Sequence, residues 1–345
     1  MRTIELQDGV VRMIDQRQLP HQLVIVELTD YREVARAIKE MWVRGAPVIG
    51  VSAAFGLALA ALESTATTRD EFMRELERAA QALRATRPTA VNLGWALDRI
   101  MKKARAANLP VAELRELIVN EAQRIAEEDV AINQKMIRYG ADLIRDGDTI
   151  IHHCNTGPLV TVDGGTALGC LIEAHRQGKK IHVLVDETRP RLQGARLTAW
   201  ELMQYGVPMT LIADNAAGYY LRRGGVNAAF VGADRVAANG DVANKIGTYK
   251  LAVVAKENNV PFYAVMPTST IDMSLKSGDD IPIEERSPDE VTTIDGVRIA
   301  PEGVNVGNPA FDVTPNQYVT ALVTEKGVVY PPFKENLLRI MDAPE

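Results

Sequence analysis

The chain has 345 residues, 46% hydrophobic and 24% charged, with a net charge of −6 and a pI of about 5.6. That balance is ordinary for a globular protein, and it argues against a nucleic-acid or anionic-membrane binder, which carries a basic face. The two cysteines, Cys154 and Cys170, offer no disulfide framework and fit a reducing, cytoplasmic setting.

The length predicts two domains. No long apolar core stands in the first ten residues, so no signal peptide is expected. Residues 2–30 alternate as strands, in Thr3–Leu6, Val10–Ile14 and Leu23–Leu28, and predict a small antiparallel sheet. Thr29 or Asp30 caps the helix that follows, where Val34, Ile38, Met41 and Trp42 recur at helical spacing. That helix stops at Arg44-Gly45, and Ala46-Pro47 opens the next, with proline where its missing N–H does no harm. The run Pro47–Leu62 is short of the roughly 20 residues of a membrane span and predicts a buried helix. Helices are predicted over about 69–85, from near Asn92, and over a long stretch from about Val111 to Arg145. The domain boundary is placed near 145, giving an α+β domain over 1–145 and a second domain over 146–345.

Beyond that point the pattern becomes strand–loop–helix. Strands are predicted at 149–153, 180–185, 209–213, 228–231 and 262–265, with helices near 165–177, 194–205, 215–222 and 247–258. Alternation with nearly continuous apolar strands predicts a parallel sheet covered on both faces. Residues 271–308 read as a long polar excursion before structured segments at Phe311, 318–323 and 328–330.

Ligands of open parallel sheets bind beyond the carboxyl ends of the strands, so the loops there are read together. The first is Cys154-Asn155-Thr156-Gly157, whose cysteine is either a tuned thiol or an inert buried one. The second carries Arg189, Arg191 and Arg196, either an anion site or a salt-bridged loop. A later one holds Asp234 beside Val231-Gly232-Ala233. This is either a turn aspartate or a carboxyl desolvated enough to act as a general acid. Asn244-Lys245 follows, and the lysine either holds a phosphate or is simply exposed. Asp163–Gly169 has the wrong spacing for a dinucleotide fingerprint. His152 and His153, being adjacent, point to opposite strand faces and read as core histidines. Neither a metal nor a redox cofactor is expected.

Arg44-Gly45-Ala46-Pro47, Arg87–Leu93, His153–Gly157, Asp186–Pro190, Gln193–Arg196, Gly232–Arg235, Asn239–Asp241 and Asn244–Tyr249 together resemble the methylthioribose-1-phosphate isomerases of methionine salvage. The resemblance runs from about residue 20 to 332 in family order. It implies a small N-terminal domain, with a short antiparallel sheet and helices, before a Rossmann-like α/β domain with a mainly parallel sheet. It further implies a cytoplasmic homodimer that acts on a sugar phosphate without a cofactor, and engages neither nucleic acid nor membrane. Cys154 and Asp234 match the family's catalytic pair; Arg44, Gly45, Ala46, Arg87, Gln193, Asn244 and Lys245 match its substrate-binding positions. The rivals are an isomerase of ribose 1,5-bisphosphate or 5-deoxyribose 1-phosphate, and a non-catalytic regulatory subunit like those of the initiation-factor exchange complex.

Overall fold

The computed structural model of the chain describes residues 1–88 and 90–342, so Thr89 of the Arg87–Leu93 motif lies outside the described residues. The chain divides into two compact units, Met1–Ile132 with Pro158–Gly165, and Asn133–Gly157 with Thr166–Glu345.

The first unit opens with β1 (Ile4–Gln7), β2 (Val10–Ile14) and β3 (Ile25–Leu28), paired antiparallel in that order. Alternation turns Ile4, Leu6, Val11 and Met13 into the core. Helices α1 (Tyr31–Lys39), α2 (Ala46–Glu63), α3 (Arg69–Thr86), α4 (Val91–Ala106) and α5 (Val111–Asp142) follow. Asp30 caps α1 by accepting from the Arg32 amide, and Thr68 caps α3 by accepting from the Glu71 amide. Helix α2 is apolar on every side and buries Val48 through Ala61. It passes the length and composition test for a membrane span, yet 78% of it is buried inside the protein, as a core helix is. The stripe of α5 serves two cores: Leu114, Ile118, Ala122 and Ile125 join that of the first unit, while Met136, Ile137 and Ala141 join one of the second. The compact units change over inside α5, between Ile132 and Asn133.

The second unit continues through β4 (Thr149–His152), α6 (Ala167–Arg176), β5 (His182–Asp186), α7 (Ala199–Gln204), β6 (Met209–Ile212), α8 (Ala216–Arg223) and β7 (Ala228–Val231). Next come β8 (Arg235–Ala237), β9 (Val242–Lys245), α9 (Thr248–Glu257), β10 (Phe262–Val265) and β11 (Ile271–Asp272). A short α10 (Asp289–Thr292) leads into the hairpin β12 (Thr293–Ile294) and β13 (Val297–Arg298). The unit ends with β14 (Phe311–Thr314), β15 (Ala321–Thr324), β16 (Gly327–Val329) and α11 (Phe333–Asp342). The main sheet has the order β16-β15-β10-β7-β4-β5-β6, parallel throughout except for β16. Both faces are covered. Ile150, Val183, Val185 and Phe230 pack with Leu168 and Leu171 of α6; Ile151, Leu184, Ala229 and Val231 pack with Leu251 of α9 and Leu337 of α11. The small antiparallel sheet followed by a mainly parallel one is the expected fold class. Between β7 and α9, where the sequence suggests a loop, a second sheet forms in the order β11-β8-β9-β14.

Candidate active site

The chain winds from β4 to β5 to β6 in one direction, then returns to the other side of β4 with β7 and continues to β10 and β15. The switch point lies between β4 and β7, the place where open α/β sheets bind ligands. Strand β4 runs into His153-Cys154 and β7 into Gly232-Ala233-Asp234. The two loops touch: a Cβ on Gly232 would come within 2.8 Å of Thr156 Cγ2, an approach open only to glycine.

Cys154 has a φ of +72°, in the left-handed region that a side chain disfavours by about 1–3 kcal/mol. It is held there from both sides. Its amide donates to Thr188 Oγ1 at 2.9 Å, and its carbonyl accepts from Thr198 Oγ1 at 2.7 Å. Thr188, itself at φ +64°, donates its hydroxyl to the Asp186 carbonyl, and its amide donates to Asp214. Cys170 differs: it is fully buried on α6, and burial pushes its thiol far above the usual range. Of the two thiols, Cys154 is the one on a built turn.

The structure gathers Gln193, Asp234, Asn244 and Lys245 in the same unit as Cys154, on segments at or after strand ends. Gln193 is buried at 6% exposure, directly before a π-helical turn at Gly194–Thr198, and its Oε1 has no hydrogen-bond partner. A buried acceptor left open is unfavourable by itself, and suits a ligand hydroxyl. Asn244, on β9, donates to Thr248 Oγ1 at 3.0 Å. Lys245 is buried rather than exposed, its Nζ donating to the Ala310 carbonyl at 2.9 Å and lying 4.1 Å from the centre of the Phe311 ring. Asp234 is exposed, directly after the buried Gly232 and half-buried Ala233, so burial does not desolvate it and the turn-aspartate alternative describes its place in the fold. Its amide donates to the Ala243 carbonyl, which fixes its turn against β9.

The remaining matched positions lie in the first unit. Arg44 is half-buried, Gly45 is the N-cap of α2 at φ +108°, and Ala46 is the first, exposed residue of that helix. Arg87 is half-buried at the end of α3. The arginine loop after β5 proves to be the salt-bridged alternative. Arg189 donates to the carbonyls of Pro190 and Val291, Arg191 pairs with Glu290 at 2.8 Å, and Arg196 pairs with Asp295.

His153 is more than a core histidine. It is fully buried, with Nδ1 2.8 Å from Asp186 Oδ2 and Nε2 2.8 Å from the Ile246 carbonyl. Burial alone would lower its pKa, but the hydrogen bond and charge of Asp186 outweigh it and the pKa is raised. Burial also raises the pKa of Asp186. With Asp214 these residues stand close enough to ligate a metal. Both ring nitrogens are already committed, however, and Asp214 accepts from the amides of Thr188 and Arg189. The donor set is that of an acid–base cluster. Its one sequence signal is that β5 ends in an aspartate level with the end of β4.

Residues 42–331 match the Initiation factor 2 subunit family, and the chain belongs to it. The methylthioribose-1-phosphate isomerase of Acetivibrio thermocellus is 54% identical over 98% of this chain and 99% of its own length. Among solved structures, the 5-methylthioribose 1-phosphate isomerase of Pyrococcus horikoshii OT3 is 53% identical, with a TM-score of 0.96 over 99% of this chain and 96% of that one. The delta subunit of translation initiation factor eIF-2B from A. fulgidus is 46% identical, with a TM-score of 0.93 over 99% of this chain and 100% of that one. Within the family, the chain groups with the methylthioribose-1-phosphate isomerases.

Proposed function

We infer that the chain isomerises 5-methylthioribose 1-phosphate to 5-methylthioribulose 1-phosphate, with Cys154 and Asp234 as its catalytic pair. One observation carries this reading: the two residues follow the strands on either side of the sheet's switch point, on loops in contact. The substrate is an aldose locked as a furanose by phosphate on its anomeric oxygen, so the ring must open before hydrogen can move. Asp234 donates a proton to the ring oxygen as its bond to C1 breaks, leaving a cationic C1. Hydrogen then passes from C2 to C1, and the C2 hydroxyl proton returns to Asp234 as the ketone forms. Cys154 either takes the C2 proton as thiolate and returns it at C1, through an enediol, or stabilises charge during a hydride shift. Deuterium at C2 tests the routes: a migrating hydride does not exchange, so loss of label to water requires the enediol route, with exchange at the Cys154 thiol. The bound sugar supplies the desolvation that the exposed Asp234 lacks. Gln193 and Asn244 bind hydroxyls and Lys245 the phosphate, while Arg44, Gly45, Ala46 and Arg87 are substrate-binding positions by the resemblance alone.

The test is purified protein with methylthioribose 1-phosphate, followed by carbon NMR. A ketone carbon should grow in while phosphate stays on C1; its absence overturns the reading. Asp234→Asn should leave KM nearly unchanged and lower kcat by roughly 10²–10⁴-fold, the range of general acid catalysis. Turnover near normal in that variant ends the acid role. The same reading carries a cytoplasmic homodimer, which sedimentation at assay concentration checks.

A further inference from the structure

We infer that His153 is a positioning residue for this reaction: its imidazole, anchored on Asp186, ties the turn carrying Cys154 to the turn that follows Asn244 and Lys245. The inference rests on the isomerase reading. A single buried ring joins three strand-end segments. Its backbone leads directly into Cys154; its Nδ1 meets Asp186 at the end of β5; its Nε2 meets the carbonyl of Ile246, directly after Lys245. Asp186 acts twice, because its own carbonyl accepts from the Thr188 hydroxyl that receives the Cys154 amide.

The ring is also gripped by shape. A Cβ on Gly247 would stand 2.9 Å from His153 Cε1, so this turn closes on the imidazole only because glycine follows Ile246. A carbonyl only accepts, so Nε2 carries a proton, and a second proton lies between Nδ1 and the Asp186 carboxyl. The charges facing the pair are Asp214, Lys250 and Asp312, the last accepting from the amides of Gly247 and Tyr249, while His152 is the neighbouring histidine. His152 is the internal contrast. It is equally buried, yet it bonds the Phe230 carbonyl in the neighbouring strand and reaches Thr156, with no link to the Asn244–Lys245 turn.

A positioning tie and a merely stabilising one respond differently to substitution. His153→Gln keeps a donor for Ile246 but loses Asp186, so the turns lose their common anchor. Misplacement of a substrate-binding turn by about 1 Å lowers turnover about 100-fold. Asp186→Asn keeps both links, because its amide donates to Nδ1 of a neutral ring whose Nε2–H still reaches Ile246; its loss should stay within about tenfold. His152→Gln serves as the stability control.

The experiment measures kcat, KM, pH profile and melting temperature for wild type and the three variants. His153→Gln should melt no lower than His152→Gln yet turn over far more slowly, with Asp186→Asn between it and wild type. Wild-type kcat in folded His153→Gln overturns the inference. So does an Asp186→Asn as slow as His153→Gln with a displaced alkaline limb, which would mean that the pair acts by charge rather than geometry. If His153→Gln does not fold, Gly247→Ala presses on the ring from the other side, and an unchanged kcat there overturns the tie equally. Wild type inert toward methylthioribose 1-phosphate would instead remove the isomerase reading itself.

Discussion

His152 and His153 are consecutive, both buried, and opposite in their demand for protons. Burial lowers the His152 pKa from 6.5 to about 3, so the folded state holds it neutral. An unfolded histidine binds a proton below about 6.5, so His152 contributes stability that is complete above that pH and is lost as pH falls toward 3. At full span the effect is on the order of 5 kcal/mol. The denaturant midpoint should therefore fall between pH 6.5 and 4, and His152→Gln should flatten that fall; an unchanged slope rules the assignment out. His153 has the reverse sign. Its pKa is raised against Asp186, so its contribution is complete below about 6.5 and disappears as pH climbs through the folded value. His153→Gln should flatten the alkaline side. That Cys154, Gln193 and Lys245 lie at or after strand ends in one unit was legible. The burial of Lys245 and the exposure of Asp234 were not, because three apolar neighbours in a row do not say which way a turn faces. Lys245→Gln should reduce kcat/KM through KM, by about 1.5–3 kcal/mol if the ammonium binds the phosphate. A lower melting temperature with unchanged KM would mean that it serves only Ala310 and Phe311.

The segment from β5 to α7 shows how an element carries a site. The helical spacing after 194 was legible, but its first turn is a π-helix, and such turns gather at functional positions. Gly194 begins it so close to β5 that a Cβ would overlap the Asp186 carbonyl oxygen. Gly194→Ala should consequently displace either the Gln193 turn or Asp186, with a loss of roughly 2–4 kcal/mol in unfolding free energy and a fall in kcat. A variant as stable and active as wild type would refute that packing. The three arginines of the same loop make the opposite prediction. Arg196 and Asp295 are both surface residues, and exposed ion pairs contribute about 0–1 kcal/mol. Arg196→Gln should leave KM within about twofold; a large rise would restore the anion-site alternative. The second sheet was not legible because its strands are two to four residues long and pair across long separations, as Phe311 does with Lys245. Such pairing leaves no local period to read.

At the scale of the whole chain, alternation announced a parallel sheet, but strand order is a property of the folded state, and the switch point beside Cys154 emerged only there. The fold alone does not separate an isomerase from a regulatory subunit, since solved structures named as each superpose on this chain with TM-scores of 0.96 and 0.93. The curated relatives, named as isomerases at 54% identity over nearly the whole chain, make the distinction, and charge bears on the substrate. The chain carries −6 overall, and its densest basic loop is engaged with Glu290, Asp295 and backbone carbonyls. A second phosphate at the sugar's C5 end would enter a protein with a net negative field. An apolar C5 substituent meets no such barrier. Losing the methylthio group removes only a few apolar atoms, worth roughly tenfold in kcat/KM. 5-Deoxyribose 1-phosphate should therefore be turned over about tenfold less efficiently than methylthioribose 1-phosphate, and ribose 1,5-bisphosphate less efficiently by at least about 10³. Side-by-side kcat/KM values decide the order. A bisphosphate that matched the methylthio sugar would keep the ring-opening chemistry at Cys154 and Asp234 and transfer the protein to a different substrate.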